Sequence, residues 1–254
     1  MIQPGLVSVT FRQLAPAKII DLARDAGLAA IEWGGDIHVP HGDLKQAETV
    51  GRLTRRAGLA VASYGSYYHV LDSEQQGLTF DSVLRTAQAL GAPMIRVWAG
   101  ILPSAKADDA YRRSIVEETR RLAKLASAAG LVIAFEYHGN TLTDTRASAV
   151  ELLNAIQHPA VHSYWQATIG MSGEDNLAGL SAILPWLANV HVAHYALTGA
   201  TCLALKSGAD GWRRYLDLVR TTGRKHYALL EFVRDDSPAA FREDARTLQE
   251  WLAS

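Results

Sequence analysis

Residues 128–137 (AAGLVIAFEY) carry the pattern that decides the fold. A helix-compatible segment ends in alanine, a glycine follows, and a short apolar run then leads to Glu136 and Tyr137. Glycine ends helices readily because it adopts the left-handed backbone conformation without a Cβ clash. The apolar run lacks alternating polar residues, which is typical of a strand buried on both faces in a parallel sheet. The stretch therefore predicts a junction between a helix and a parallel strand.

The same helix–glycine–strand pattern recurs along the chain. Other copies lie around Gly27, Gly58 and Gly91, and a fainter one lies around Gly223. Read outward from these copies, the pattern predicts eight strands, near residues 6–10, 29–33, 60–64, 94–98, 132–136, 162–166, 189–193 and 227–231. It also predicts eight helices, near residues 15–26, 44–57, 78–90, 106–129, 146–157, 176–187, 211–222 and 238–252.

Eight successive βα units predict an α/β fold, a single (β/α)8 TIM barrel. No linker rich in Pro, Gly or Ser interrupts the chain, so we expect one domain over residues 1–254. The competing topology is an open, doubly wound sheet. Such sheets usually carry a glycine-rich phosphate loop after the first strand, whereas residues 9–12 (VTFR) contain no glycine. The sequence therefore favours the closed barrel.

Charge and composition exclude several classes of partner. Lys and Arg total 25 against 26 Asp and Glu, which leaves a net charge of −1. A nucleic-acid or membrane-surface partner would favour a basic protein, so neither is expected. Cys202 is the one cysteine and cannot form an intrachain disulfide, which fits a reducing, cytoplasmic compartment. The N-terminal residues lack a signal-peptide pattern, and no apolar run reaches membrane-spanning length.

Polar residues follow the last four predicted strands at similar heights. Glu136, Gln166, His191 and Glu231 come from consecutive strands, and the carboxyl ends of barrel strands meet at one mouth. Buried polar groups of this kind need partners, and a cation can supply one. Two carboxylates, an amide oxygen and an imidazole suit a divalent metal, with Mn²⁺ expected first and Mg²⁺, Co²⁺ or Zn²⁺ as alternatives. We therefore predict a metal site there.

Six further residues are candidates for substrate binding because they lie at or just beyond strand ends: Trp33, His69, Arg96, Trp98, His138 and His194. Each has an alternative. The tryptophans are equally consistent with packing, and Arg96 with neutralising Glu32 or Glu136. His38 and His41 form a second candidate metal pair, although capping of the next helix is an alternative for their loop. Cys202 is predicted to be inert.

The strand-end motifs resemble those of the sugar phosphate isomerase/epimerase family, the xylose-isomerase-like barrels that include ketose epimerases and endonuclease IV. Segments 135–138 (FEYH), 189–192 (NVHV) and 229–232 (LLEF) are similar to three of its metal-ligand motifs. In that family the ligands are Glu, Asp, His and Glu after strands five to eight. Gln166 stands where the family has Asp. Because glutamine carries no charge, this replacement predicts weaker metal binding.

The resemblance implies a metal-dependent isomerase or epimerase of a keto sugar or sugar phosphate. Such reactions remove a proton beside a carbonyl, and a metal on the carbonyl oxygen stabilises the resulting enediolate. Glu136 and Glu231 are then the expected catalytic pair. The alternatives are a dehydratase of a keto-inositol type and a sugar-binding barrel without catalysis. A DNA-repair endonuclease would need more ligands and a basic groove. The sugar and the oligomeric state, monomer or homo-oligomer, stay open.

Overall fold

The computed structural model describes residues 1–196 and 201–253. Within these residues, eight parallel strands pair in chain order and close into a barrel, so the protein has the predicted TIM-barrel fold. Residues 197–200 and Ser254 lie outside the described residues, and a single domain over 1–254 stays a prediction. The strands are β1 (Ile2–Val7), β2 (Ala30–Gly34), β3 (Ala60–His69), β4 (Met94–Trp98), β5 (Val132–Phe135), β6 (Val161–Trp165), β7 (Leu187–Val192) and β8 (His226–Leu230).

Helices connect successive strands and cover the outside of the barrel. They are α1 (Pro16–Asp25), α2 (Leu44–Arg56), the single turn α3 (Asp72–Gln75), α4 (Phe80–Leu90), α5 (Asp109–Ala128), α6 (Arg146–Ile156), α7 (Gly173–Ile183), α8 (Ala209–Arg220) and α9 (Pro238–Ala253). Gly91 shows why the repeat contains glycine. It caps α4 with φ 75°, a left-handed conformation that other residues adopt only at a steric cost.

The first strand differs from its prediction. It spans Ile2–Val7 rather than 6–10, and residues Ser8–Phe11 form a 3₁₀ turn. Pro4 and Gly5 indicate a break in the sequence, but the structure uses Gly5 for close strand packing. A Cβ on Gly5 would lie 2.8 Å from the Ala30 carbonyl oxygen and 2.5 Å from the Leu229 side chain. Glycine at this position therefore allows the neighbouring strands to approach.

The seventh helix is also displaced from its prediction. The pattern predicts residues 176–187, whereas α7 spans Gly173–Ile183 and Leu187 already begins β7. Ser172 caps α7 by accepting a hydrogen bond from the Asp175 amide, which starts the helix early. A 3₁₀ turn that contains Pro185 then ends it.

Two apolar layers stabilise the barrel. The larger one lies between strands and helices, and a smaller one fills the barrel interior, largely with alanine, valine and Tyr164. Small side chains suit this interior because it is narrow and must be packed solid. No helix among the described residues has the length and apolar character needed to cross a membrane.

Candidate active site

A buried cluster of charged side chains lies at the carboxyl ends of the strands. Glu32 belongs to β2, Arg96 to β4 and His191 to β7, while Glu136 and Glu231 directly follow β5 and β8. All five are buried, with side chains no more than 11% exposed. The closed barrel brings the ends of distant strands to one mouth, so residues up to 199 positions apart share one cluster.

Arg96 bridges two of the glutamates. Its Nε lies 2.7 Å from Glu32 Oε1, and its Nη1 is ion-paired with Glu136. The Arg96 side chain is 1% exposed and does not line the cavity described below, a position that fits the alternative role of neutralising both carboxylates. Gly65 makes room for this bridge, because a Cβ there would lie 2.9 Å from both Arg96 Nη2 and Glu32 Oε1.

His191 lies between three carboxylates. Its Nδ1 is 3.2 Å from Glu231 Oε2 and 3.7 Å from Glu136 Oε1, and its Nε2 is 3.5 Å from Glu32. Burial opposes a charge on the imidazole, but Glu231 and Glu32 raise the pKa of His191 to about 9. Burial likewise opposes a charge on Glu231, yet His191 and Arg96 lower its pKa. In the absence of metal the imidazole is therefore protonated at neutral pH.

Glu32 is held by hydrogen bonds from inside the barrel. It accepts one at 2.7 Å from Ser63 Oγ, which in turn accepts one at 2.8 Å from the Tyr164 hydroxyl. Asn189 donates to that hydroxyl at 2.8 Å. Burial would raise the pKa of Glu32, but Arg96, His191 and Ser63 hold that pKa well below its ordinary value. This carboxylate is therefore a fixed anion beside His191 Nε2.

The cluster fits a divalent cation. Ligand atoms of Glu136, His191 and Glu231 all lie within 4.8 Å of one another. His191 Nδ1 is a buried nitrogen without a hydrogen-bond partner among the described residues, and it faces the other two ligands. Glu32 faces the opposite nitrogen, the arrangement in which a carboxylate orients a metal-binding histidine. The three carboxylates of the cluster also outnumber its one guanidinium, which leaves negative charge for a cation to balance when His191 is neutral.

Gln166, the fourth predicted ligand, is engaged elsewhere through its nitrogen. Its Nε2 donates to the Tyr137 carbonyl at 3.0 Å, which leaves Oε1 as its ligand atom. Gln166 lines the same cavity as the other three. The structure therefore brings the predicted set to one cavity, with a neutral amide as its fourth member.

A cavity of about 470 Å³ opens over this cluster. Trp98 and His138 form one wall, with ring centroids 4.8 Å apart in a stacked arrangement. The Trp98 indole nitrogen also hydrogen-bonds to Glu136, and His138 Nδ1 lies 2.7 Å from the Gly139 carbonyl oxygen. The other lining residues are Arg12, Tyr67, Glu136, Tyr137, Gly139, Gln166, Ala167, Thr168, Ile169, His191, Ala193, Tyr195, Glu231 and Phe232.

Besides Arg96, three predicted substrate contacts lie outside this cavity. Trp33 is fully buried between barrel and helices, where its indole donates to Thr54 Oγ1 at 3.2 Å. His69 lies behind Trp98, with ring centroids 4.5 Å apart. His194 lines a neighbouring cavity of about 270 Å³. Trp33 faces outward because successive side chains of a strand point to opposite faces, and its neighbour Glu32 faces inward.

Two other sequence candidates have separate partners. His38 Nδ1 lies 3.0 Å from Ser8 Oγ, and His41 Nδ1 lies 2.7 Å from the Tyr64 hydroxyl, so each ring has its own side-chain partner. Burial raises the pKa of the Cys202 thiol to about 11, which agrees with its predicted inertness.

Arg12 and Tyr67 are two of the cavity-lining residues that the predicted site did not include. Arg12 follows the 3₁₀ turn after β1, and Tyr67 lies within a register irregularity of β3. Tyr67 and Phe232 both have positive φ, 54° and 59°, which is uncommon for aromatic residues and frequent at functional sites. Of these residues, only Arg12 could have been identified as a site candidate from the sequence, because it lies just after the first strand.

Known proteins share this architecture. The family model of xylose isomerase-like TIM barrels matches residues 20–253. A curated relative, 3-dehydroshikimate dehydratase of Bacillus anthracis, is 26% identical over 197 residues, which cover 74% of this chain and 70% of the relative. The crystal structure described as the probable 3-DHS dehydratase of petrobactin synthesis in that organism has a TM-score of 0.83 at 23% identity, covering 97% of this chain and 98% of that one.

Two further structures extend the comparison. A xylose isomerase-like TIM barrel protein from Mycobacterium smegmatis, solved in complex with magnesium, has a TM-score of 0.78 at 20% identity, with 98% and 96% coverage. A D-psicose 3-epimerase solved with D-fructose has a TM-score of 0.72 at 14% identity, with 98% and 97% coverage. At these identities the structural likeness shows the shared fold. The matched model spans nearly the whole barrel, so the chain belongs to the xylose isomerase-like TIM barrel family.

Proposed function

We propose that this protein is a metal-dependent dehydratase of a hydroxylated cyclic keto acid of the 3-dehydroshikimate class. The cluster of Glu136, His191 and Glu231 under an open cavity carries the proposal, because it offers a cation site beside room for a small ring. The curated dehydratase relative supports dehydration over the isomerisation that the motifs imply. Isomerisation or epimerisation of a keto sugar and dehydration of a hydroxy ketone share the same first step, removal of a proton from the carbon beside the carbonyl.

Glu136, His191 and Glu231 would hold the metal, with Gln166 Oε1 as a neutral fourth ligand. Mn²⁺ and Mg²⁺ are the ions that this oxygen-rich set favours. A bound divalent ion would act as a Lewis acid towards the substrate's ketone and neighbouring hydroxyl oxygens. Arg96 would keep the Glu136 carboxylate oriented, since the two are ion-paired out of contact with water.

His138 is the side chain best placed to move a proton without serving as a ligand. Its Nδ1 donates to the Gly139 carbonyl at 2.7 Å, so Nε2 is the proton acceptor of the neutral imidazole. Stacking on Trp98 holds the ring in the cavity wall. Together with Glu136 and Glu231, the pair expected from the sequence, it supplies the acid and base groups that dehydration needs.

The reaction balances without a further reactant. A C–H bond beside the ketone breaks, and its electron pair forms a C=C bond as the C–O bond to the β-hydroxyl breaks. The hydroxyl leaves with a proton as water. With 3-dehydroshikimate, loss of one water gives a cyclic dienone. A second ring C–H proton then moves to the ketone oxygen, which gives the aromatic 3,4-dihydroxybenzoate, and the gain of aromaticity makes the sequence effectively irreversible. His138 would return the proton to the departing hydroxyl.

The test is turnover of 3-dehydroshikimate by the purified protein with Mn²⁺ or Mg²⁺, followed by chromatography of 3,4-dihydroxybenzoate. We expect product with metal, none after chelation, and none from Glu136→Gln or Glu231→Gln. Circular dichroism would show that the variants fold. Full activity after chelation, or in either variant, would contradict the proposal.

A ketose epimerase is the second candidate, as the sequence motifs imply. Glu136 and Glu231 lie 3.7 and 3.2 Å from the same imidazole nitrogen, so two carboxylates face one site and one could remove a proton that the other returns. Interconversion of D-psicose and D-fructose, without turnover of 3-dehydroshikimate, would favour this activity. A barrel that binds a sugar without catalysis would convert neither substrate.

A further inference from the structure

The cavity is lined by one guanidinium. Among the described lining residues, Arg12 is the one arginine, and no lysine lines the cavity. The other acidic and basic side chains there are the carboxylates of Glu136 and Glu231 and the imidazoles of His138 and His191. The Arg12 side chain is 45% exposed, whereas that of Arg96 is 1% exposed and already paired with two glutamates. A substrate in the cavity can therefore reach Arg12 but not Arg96.

Arg12 is held in a defined position. One side of its guanidinium is ion-paired with Asp36, and Nη2 donates to the Tyr67 hydroxyl at 3.2 Å. The guanidinium carbon also lies 5.9 Å from the centroid of the Tyr67 ring. Asp36 does not line the cavity, so it anchors the arginine from outside. Because a guanidinium has more N–H donors than these two partners use, part of its donor edge is open to a ligand.

Tyr67, which supports Arg12, has an unusual backbone conformation. Tyr67 adopts φ 54°, a left-handed conformation that is uncommon for a tyrosine, within the irregular end of β3. This conformation places the ring between the two arginines, 4.9 Å from the Arg96 guanidinium carbon. It also packs edge-on against Trp98, with centroids 5.4 Å apart. The wall that carries Arg12 is therefore continuous with the wall that carries His138.

We propose that Arg12 is the substrate-carboxylate site of this cavity, so that the protein selects anionic hydroxy ketones over neutral sugars. The planar fork of arginine matches the two oxygens of a carboxylate. One arginine without a neighbouring lysine suits a monoanion better than a phosphate dianion. This inference rests on the proposed function and deepens it by naming the residue that binds the carboxylate of the substrate.

Two ring compounds that differ only in the carboxylate test the assignment by binding alone. Calorimetry with the Mg²⁺-loaded protein would compare 3,4-dihydroxybenzoate with catechol, which has the same vicinal hydroxyls. We expect the wild type to bind 3,4-dihydroxybenzoate at least tenfold more tightly than catechol. Arg12→Gln should remove this preference without changing catechol binding, and Arg12→Lys should retain part of it. Arg24→Gln, on an exposed face of α1, is the matched control and should retain all of it.

The outcomes separate this inference from the proposed function. A wild type without a preference for the carboxylate, or an Arg12→Gln variant that keeps the preference, would overturn the Arg12 assignment. An Arg12-dependent preference in a protein that fails to convert 3-dehydroshikimate would support the anion site while overturning the dehydratase proposal. Equal loss of both ligands in Arg12→Gln would show a general disturbance of the cavity and would also overturn the assignment.

Discussion

The stability of the metal-free protein should fall as the pH rises, because of His191. The imidazole faces Glu32, Glu136 and Glu231, and Arg96 lies behind two of these carboxylates. Its pKa is about 9 in the folded protein against an ordinary value of 6.5. A group whose pKa is higher in the folded state contributes its full stabilisation at pH values below its pKa in the unfolded chain. This contribution is lost as the pH rises through its pKa in the folded protein. The predicted loss therefore falls between pH 6.5 and about 9.

The magnitude follows from the displacement of the pKa. Each pKa unit corresponds to about 1.4 kcal/mol, so a rise from 6.5 to about 9 corresponds to about 3 kcal/mol of unfolding free energy. His191 is 2% exposed, so solvent screens these interactions weakly. Within the window, the folded protein holds about one proton more than the unfolded chain at this residue.

Urea denaturation in the presence of a chelator measures this effect. Unfolding free energies at about pH 6 and about pH 9.5 should differ by about 3 kcal/mol more in the wild type than in His191→Asn. The comparison removes the contribution of other titrating groups. An NMR titration of the His191 ring gives the pKa directly if the variant folds poorly. Equal pH dependence in both proteins, or a ring pKa near 6.5, would refute the reasoning.

The remaining predictions concern the metal ligands and their support. Glu32→Gln should weaken Mg²⁺ or Mn²⁺ binding about 10- to 100-fold in calorimetry, since an outer carboxylate orients His191, whereas Ser63→Ala should change it far less. Gln166→Asp should tighten metal binding about tenfold by adding a charge, and unchanged affinity would argue against ligation at this position. Trp33→Phe should lower the unfolding free energy by about 1–3 kcal/mol through loss of the bond to Thr54 while leaving KM unchanged. A large rise in KM would place Trp33 at the substrate after all.

Much of the fold and part of the site follow from local features of the sequence. In each repeat, the glycine indicates the end of a helix and the apolar run indicates a buried strand. Both signals depend only on residues that are neighbours in the sequence. Parallel strands placed in chain order then bring Glu136, Gln166, His191 and Glu231 to one mouth, because all carboxyl ends of a barrel meet there. The first strand begins at Ile2 rather than near residue 6, and it contains Pro4 and Gly5, two residue types that are unfavourable in strands.

The tertiary structure decided which side chains face inward and which distant residues pair. Trp33 and Glu32 are neighbours on β2, and alternation places them on opposite faces without saying which face lies inside the barrel. Glu32 and His191 are 159 positions apart, and Arg12 meets Tyr67 across 55 positions at an irregular strand end. Local sequence preferences cannot report such pairings, because they arise only when the eight strands close and their twist brings separate loops together.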